Sequence, residues 1–322
     1  MAAANWPTVA IQFAAETTFQ VLLAVPIIGA AILVAVLLGA DLADMLQGSL
    51  RDVFTTIASA LMSEPIALVA FIAAFSVVLL GGSVLMFLVK GGTVAVILAA
   101  NEAGPIEHGP ITFDNLRSAA RFTLNRYTEG CGRLFRPYLK LGLGLMLVYG
   151  ASIGGYLVIV VYGYRSATDR FLIVGWTFIA ALAAASLVAW ITIVNFLYLL
   201  TQIAMAVERV GVADGIRAVG RFIRAELREL AGVFFVVLAL AVAATFASAL
   251  AWSGVGLIAF VPLVGLAVFP LQIAALMLRG LIFEYLGLTA LGAYVALYAG
   301  YAARQAAAVR SSPIASALEH PA

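Results

Sequence analysis

The sequence predicts an all-α fold: a polytopic bundle of about six helices that cross a membrane. Hydrophobic residues make up 64% of the 322 residues and charged residues only 11%, whereas about a quarter of the residues in a soluble domain are charged. The mean hydropathy is +1.10. Apolar stretches of about 20 residues or more, the length that crosses a hydrocarbon core of about 30 Å, recur along the chain. Lipid is therefore the expected solvent for most of the surface.

The N-terminal segment, residues 1–18, is predicted to contain a short interfacial helix that leads into the first span. Trp6, Val9 and Phe13 fall on one face of such a helix. Residues 1–20 contain no Lys or Arg, so the segment lacks the basic region of a cleavable signal peptide. The six predicted spans are residues 19–39, 66–98, 138–164, 171–207, 230–252 and 255–283.

The sixth span is the least regular, because it contains Pro262 and Pro270. A proline inside a helix removes a backbone hydrogen bond and kinks or breaks the helix. If the helix breaks there, residues 282–303 are apolar enough to form a further helix, so this region makes either one span or two. The chain from residue 305 to residue 322 is rich in Ala and Ser and is predicted to be a disordered tail.

The distribution of arginine predicts the orientation, because basic residues are enriched in loops on the cytoplasmic side. Twelve arginines fall in the second loop, the fourth loop and the tail, whereas three fall on the opposite side. Both termini are therefore predicted to be cytoplasmic. The twelve are Arg117, Arg121, Arg126, Arg133, Arg136, Arg209, Arg217, Arg221, Arg224, Arg228, Arg304 and Arg310, and the three are Arg51, Arg165 and Arg170.

Three carboxylate–glycine pairs mark a repeated unit. Each follows an apolar helix, where glycine favours a helix stop, and each precedes apolar residues spaced three or four apart, as in the amphipathic stretches 113–127 and 214–229. The pattern predicts three helical hairpins with cytoplasmic amphipathic helices, in residues 19–130, 138–229 and 230–304. The alternative is that any six-span protein with basic inner loops looks periodic. The pairs are Glu102 and Gly104, Glu208 and Gly211, and Glu284 and Gly287.

Residues 201–224 carry a resemblance to known membrane proteins. An apolar run leads into Val-Glu-Arg-Val-Gly-Val at 207–212, and Gly-Ile-Arg-Ala at 215–218 opens a basic helix. In this pattern the chain resembles poorly characterised bacterial six-helix integral membrane protein families, which include the membrane domain of some glycerophosphodiester phosphodiesterases. The resemblance extends over residues 19–300 and implies a membrane fold in a bacterial inner membrane. Because the chain carries no soluble phosphodiesterase domain, we expect no enzymatic activity.

One stretch has the pattern of a catalytic motif, since residues 150–154 read Gly-Ala-Ser-Ile-Gly and match the G-x-S-x-G of hydrolases. That motif requires a strand–turn–helix elbow and a histidine base. Here the pattern lies in an apolar helix, and no predicted span contains a histidine. Gly150 and Gly154 are therefore predicted to form a small-residue face at which two helices approach closely.

Charged residues near the membrane are the candidate contacts for a lipid headgroup or a substrate. Lys90 and Arg279 fall within predicted spans, where a charge costs several kcal/mol unless it is paired, functional or able to snorkel to the interface. Both interpretations, snorkelling and a binding site, stay open for these two residues. Gly91 and Gly92 indicate a helix break beside Lys90. The remaining candidates are Arg217, Arg221 and Arg224 in the second amphipathic stretch.

Two functions are compatible with the sequence. The first is a non-enzymatic membrane protein that associates with lipid or acts as a scaffold in a membrane assembly, with membrane lipids and other membrane-protein subunits as partners. The second is a transporter or permease subunit, in which Asn195, Gln202 and Gln272 line a polar pathway instead of joining helices. One cysteine and two histidines provide no thiolate-rich metal site, so no metal or cofactor is expected. No nucleic-acid-binding motif is recognisable.

Overall fold

The computed structural model describes residues 2–38, 65–103, 117, 119–166, 170–259 and 264–310. These residues form α-helices and no strand, and a short 3₁₀ turn, Ala3–Asn5, precedes the first α-helix. The helices are α1 (Trp6–Leu38), α2 (Pro65–Glu102), α3 (Leu124–Ser166), α4 (Arg170–Glu208), α5 (Val212–Ala259) and α6 (Val264–Arg310).

All six helices of the described ranges are long and apolar enough to cross a membrane. Their lengths run from 33 residues in α1 to 48 in α5, whereas about 20 residues suffice for a hydrocarbon core. Lipid offers no water to exposed backbone groups, and an α-helix satisfies those groups within one segment. The predicted all-α six-helix class is confirmed, and the protein is a multi-pass integral membrane protein.

Two helix ends lie where the sequence places them, since α2 ends at Glu102 and α4 ends at Glu208. The left-handed residue after α4 is Arg209, with φ 56°, and not Gly211. The carbonyl of Gly211 instead accepts a hydrogen bond from the N–H of Gly215 at 2.9 Å. A carbonyl that accepts the first helical hydrogen bond belongs to the residue that begins a helix. Gly211 therefore starts α5 and does not stop α4.

The third predicted corner is wrong, because Glu284 and Gly287 lie inside α6. The helix continues beyond Gly287 into residues that are buried in the protein, among them Leu288 and Tyr298. Packing of a buried face stabilises a helix more than local propensity does, which explains why glycine does not end this one. Gly104, from the first corner, lies outside the described residues.

The sixth span differs from its predicted boundaries. α5 continues to Ala259, and α6 runs as one helix from Val264 to Arg310, so residues 264–310 do not form two helices. Pro270 lies in the second turn of α6, where its missing N–H removes a single hydrogen bond. Residues 305–310 of the predicted tail are helical. Pro262 and residues 311–322 lie outside the described part of the chain.

The amphipathic stretches are not separate helices. Residues 214–229 form the first turns of α5, which continues into its span through a kink at Glu226, where φ is −124° and ψ is 29°. Residues 119–123 are not helical, so the helix predicted over 113–127 is wrong there, whereas residues 124–127 form the first turn of α3. The hydropathy of the sequence identifies the apolar part of α3 and α5 as a span, whereas the charged turns that precede it are too polar to be included.

The start of α3 is determined by the side chain of Asn5. Its amide nitrogen Nδ2 donates to the carbonyl of Ala119 at 2.8 Å, and its Oδ1 accepts from the N–H groups of Arg121 and Phe122, each at 2.9 Å. A side chain that bonds to the backbone in this way competes with helix formation. Residues 119–123 therefore stay non-helical, and α3 begins immediately after them.

The N-terminal residues are packed against protein. Val9 is 4% exposed and clusters with Leu288, whereas Trp6 is 68% exposed. The predicted common face of Trp6, Val9 and Phe13 is therefore wrong, and the buried face contains Asn5, Thr8 and Val9 instead. The sequence pattern missed this face because two of its residues are polar.

The described residues divide into two compact units. One unit is Ile11–Val89, and the other combines Met1–Ala10 with Lys90–Ala322. Within the second unit the buried side chains gather at one end of the helices, where α2, α4 and α6 end and α3 and α5 begin. Beyond that core the helices expose many large apolar side chains, as expected for a surface in contact with lipid. The largest fully buried side chains are Tyr138, Tyr298, Phe222, Ile97, Leu200, Ile203 and Met205.

Candidate functional site

Charged side chains surround a pocket at the buried end of the second unit. The pocket has a volume of about 190 Å³ and lies between the end of α2, the first turns of α3 and the end of α4. Its charged lining comprises three arginines and two glutamates. The arginines form no ion pair within the described residues, so the cations face the pocket without a bonded carboxylate. We call this set the charged pocket: Glu102, Arg126, Glu129, Arg133 and Arg209.

A second cationic feature is a row of four arginines on the first turns of α5. Their positions are four, three and four residues apart, and this spacing places the first three on one side of the helix, while Arg228 follows the kink at Glu226. The opposite side of these turns contains Ala218 and Phe222, which are both buried. We call the row the arginine stripe; it consists of Arg217, Arg221, Arg224 and Arg228, which are all exposed.

Few carboxylates in the described part of the chain pair with the arginine stripe, so most of its positive charges have no bonded counter-charge there. Asp214 contacts Arg217 at 2.7 Å, but the two side chains are 62% and 71% exposed, and exposed pairs contribute little. Glu226 pairs with Arg304 of α6 at 2.7 Å and not with the stripe. Among the described residues, Arg221 and Arg224 form no ion pair.

The first turns of α5 are fixed by packing on their buried side. The ring of Phe222 contacts those of Tyr298 and Tyr301, with centroids 5.0 and 5.2 Å apart. The hydroxyl of Tyr298 donates to Oε1 of Glu208 at 2.5 Å, which joins α6 to the end of α4. Glu208, a predicted corner residue, thus has a structural partner. These contacts hold the arginine stripe on the side that faces away from the core.

α5 also lies very close to α4 near the stripe. A Cβ atom added to Gly215 would meet the side chain of Met205 at 2.7 Å. A larger residue at this position would push the two helices apart. The glycine that follows Asp214 therefore contributes to the position of the stripe through close packing and not through a turn.

Lys90 lies in α2 apart from the arginine stripe. Its Nζ is 5.6 Å from the ring centre of Tyr198 on α4, which is a cation–π distance. The predicted helix break beside it is wrong, because α2 continues through Gly91 and Gly92. A Cβ at Gly92 would meet the Sγ of Cys131 at 2.8 Å, so these glycines provide a close approach between α2 and α3.

Arg279 is exposed on α6, and its guanidinium carbon is 5.7 Å from the ring centre of Phe283. It lines a groove of about 270 Å³ between α5 and α6, together with small residues of α5 such as Ala244 and Ala251. The structure therefore brings neither Lys90 nor Arg279 into the charged pocket. The two remain separate candidates for contact with a headgroup.

The serine of the hydrolase-like pattern makes helix contacts. Ser152 Oγ donates to the carbonyl of Val148 at 2.7 Å and accepts from Nε1 of Trp190 on α4 at 3.0 Å. The predicted close approach at Gly150 and Gly154 is wrong, since a Cβ at either position would meet no atom within 4 Å. It is the serine, not the glycines, that joins α3 to α4.

Polar side chains inside the spans also connect these two helices. Tyr149 donates to the side chain of Asn195, and Tyr138 donates to the backbone carbonyl of Gln202 at 2.9 Å. The hydroxyl of Tyr198 and the Nε2 of Gln202 are buried and have no hydrogen-bond partner among the residues that the structure describes. Tyr138, Tyr149 and Ser152 thus join α3 to α4, while two buried donors of α4 stay unsatisfied within the described residues.

The charged pocket was not predicted from the sequence as a site. Arg126, Glu129 and Arg133 follow one another at intervals of three and four residues on α3, and this spacing indicates one charged face. From the sequence, Arg126 and Arg133 contribute only to the predicted orientation of the loops. The approach of Glu102 and Arg209 depends on the packing of α2 and α4 against α3, which no local pattern reveals.

Comparisons with known proteins do not assign the chain to a family. No protein-family model matches it, and neither a curated protein nor a solved structure is significantly similar to it. The resemblance to phosphodiesterase membrane domains therefore stays an expectation from residues 201–224. The function has to be inferred from the contacts, exposure and charge of the described side chains.

Proposed function

We propose that the protein is a non-enzymatic integral membrane protein that binds anionic lipid headgroups at the cytoplasmic surface of a bacterial inner membrane. The observation that carries this proposal is the arginine stripe: four exposed arginines on the charged turns that lead into the α5 span, three of them on one side of the helix before the kink. Each basic residue near an anionic membrane surface contributes about 1 kcal/mol to binding. Arg217, Arg221 and Arg224, which share one face, act on the same layer of phosphates.

Apolar residues beside the arginine stripe support a position at the membrane interface. Ile216 and Leu227 are exposed and lie next to the stripe on the helix surface. An interfacial helix places apolar side chains at the acyl boundary and basic side chains among the headgroups. The first turns of α5 have this arrangement, and the span that follows them keeps them at the surface.

The location of the other arginines favours the same side of the membrane. The arginines of the charged pocket and Arg304 lie at the same end of the helix core as the stripe. Basic residues are enriched on the cytoplasmic side of inner-membrane proteins. The proposed orientation therefore places this end, together with both termini, in the cytoplasm.

A transporter for an anionic solute is the second candidate. Lys90 and the unsatisfied donors of Tyr198 and Gln202 support it, because polar groups inside a membrane often mark a pathway. The polar contacts of Tyr138, Tyr149 and Ser152 join α3 to α4, which is the commoner role of such groups. The lipid-binding proposal rests on more residues, and we favour it.

The test compares wild-type protein with R217E/R221E/R224E in proteoliposomes of phosphatidylglycerol and phosphatidylcholine. The protein is extracted with its surrounding lipid in polymer-bounded discs, and the two lipids are measured by mass spectrometry. We expect phosphatidylglycerol to be enriched around the wild type and not around the variant, with a loss of at least about fivefold per arginine in binding.

The variant R217K/R221K/R224K is the matched control, because it keeps the three charges and changes only the geometry. We expect it to retain the enrichment, and we expect salt to weaken the enrichment in both proteins by screening. Equal enrichment around the wild type and the charge-reversed variant would refute the proposal.

A further inference from the structure

An apolar groove of about 500 Å³ lies between α3, α4 and α5 in the second unit. Leu145 of α3, Leu197 of α4, and Ile216 and Ile223 of α5 contribute to its walls. Pockets for small ligands have volumes of about 300–1,000 Å³. The groove therefore has room for an apolar chain, and it adjoins the turns that carry the arginine stripe.

Two glycines give the groove its width. Gly144 of α3 and Gly220 of α5 both line it, and a Cβ atom added to either would meet no other atom within 4 Å. These glycines are thus not needed for close packing of the helices. Any larger side chain at either position would extend into the space of the groove.

Lys140 supplies the only charge among the described residues that line this groove. It is exposed, and no carboxylate of the described residues lies within ion-pair distance of it. From Leu141 to Tyr164, α3 contains no charged residue, so Lys140 lies where the charged turns of α3 meet the span. A lysine at this boundary extends its ammonium group to the phosphate layer of a membrane.

A second apolar groove, of about 610 Å³, provides a comparison. It lies between α5 and α6, and the charged residue in its lining is Glu229. A carboxylate repels a phosphate group, whereas the ammonium of Lys140 attracts one. The two grooves are similar in apolar character and opposite in charge, so an anionic amphiphile fits the groove at Lys140 better.

We propose that the groove between α3, α4 and α5 binds one anionic phospholipid, with an acyl chain between Gly144 and Gly220 and the phosphate at Lys140. This inference rests on the proposed affinity for anionic lipid and deepens it, because it names one molecule and one site. The arginine stripe acts on the surrounding lipid, whereas the groove retains a single lipid that moves with the protein.

The test uses the full chain purified in detergent, where surrounding lipid is removed and a retained lipid is counted by native mass spectrometry. Phosphatidylglycerol and phosphatidylcholine of equal chain length are added as probes. We expect the wild type to retain one lipid and to prefer phosphatidylglycerol. Lys140→Gln should lower that preference about fivefold, and Gly144→Leu or Gly220→Leu should abolish binding of both lipids.

The control is Gly232→Leu, which fills the groove that contains Glu229 and also meets open space. It should retain lipid as the wild type does. Leucine has a higher helix propensity than glycine, and Lys140→Gln alters an exposed residue, so these variants should stay folded; gel filtration checks each one. Lys140→Gln stands as a separate test if a leucine variant does not fold.

Two results would overturn the inference: wild-type lipid retention by both leucine variants, or an unchanged lipid preference in Lys140→Gln. If either result is found while the enrichment of phosphatidylglycerol in the bilayer still depends on the arginine stripe, the proposed lipid site in the groove is wrong and the proposed function stands. If the bilayer enrichment is also independent of the stripe, both proposals fail.

Discussion

Asn5 joins the N-terminus to a segment more than a hundred residues away in the chain. Its side chain makes three hydrogen bonds to the backbone around Ala119 and Arg121, and it is fully buried. Buried backbone groups need such partners, because an unsatisfied donor or acceptor costs about 1–3 kcal/mol. One polar residue therefore determines both how the N-terminus is packed and where α3 begins.

We predict that Asn5→Ala lowers the free energy of unfolding by about 3 kcal/mol, because it removes three hydrogen bonds and leaves backbone groups unsatisfied. The measurement is thermal unfolding of the purified protein in detergent. Asn125→Ala, an exposed position in the first turn of α3, is the control and should leave the midpoint unchanged. Equal effects of the two substitutions would contradict the role given to Asn5.

At this scale the sequence predicted what local spacing determines. The exposed row of Arg217, Arg221 and Arg224 follows from their intervals on a helix, and the end of α4 at Glu208 from the apolar run before it. The contact of Asn5 with Ala119 and the left-handed conformation of Arg209 depend on residues brought together by folding. Such contacts leave no periodic signal in the chain.

Between elements, small residues determine how closely α2 and α3 approach. A Cβ atom at Gly130 would meet the Cβ of Ala95 at 2.4 Å and the carbonyl oxygen of Gly91 at 3.1 Å. Neither atom belongs to a flexible side-chain end, so a larger residue would force the helices apart. The charged pocket lies beside this contact, since Ala95 and Gly130 are both in its lining.

We therefore predict that Gly130→Ala destabilises the protein by about 1–3 kcal/mol through overpacking. Gly132→Ala is the matched control two residues further along α3, where a Cβ would meet no atom within 4 Å. Alanine has the higher helix propensity, so this control should stabilise the protein by up to about 1 kcal/mol. The measurement is thermal unfolding of both variants. A neutral or stabilising effect of Gly130→Ala would contradict the close packing of α2 against α3.

The helices themselves were predicted unevenly. The ends of α2 and α4 agree with the sequence because a carboxylate, Glu102 or Glu208, follows the apolar run of each helix. α3 and α5 begin with charged amphipathic turns, which hydropathy separates from the span although the backbone continues through both. α6 continues past Gly287 because the residues beyond it are buried, which only the tertiary structure shows.

For the whole molecule, the two ends of the helices have different surroundings. In the second unit one end has the charged pocket, the buried aromatic rings and the arginine stripe, whereas apolar side chains such as Leu157 and Phe246 are exposed toward the other end. A protein in lipid needs no apolar core throughout, because lipid and apolar side chains are equivalent surroundings. Its specific packing can therefore concentrate where the chain meets the headgroups and water.

The central claim is that six helices cross the membrane and bring these basic ends to the cytoplasmic surface. The most direct measurement fuses a reporter that is active only outside the cytoplasm to the ends of successive helices. Fusions after Ser166 and Ala259 should be active, and fusions after Glu208 and Arg310 should be inactive, because α4 and α6 each return the chain. Equal reporter activity after Ala259 and Arg310, or activity after Glu208, would contradict the account.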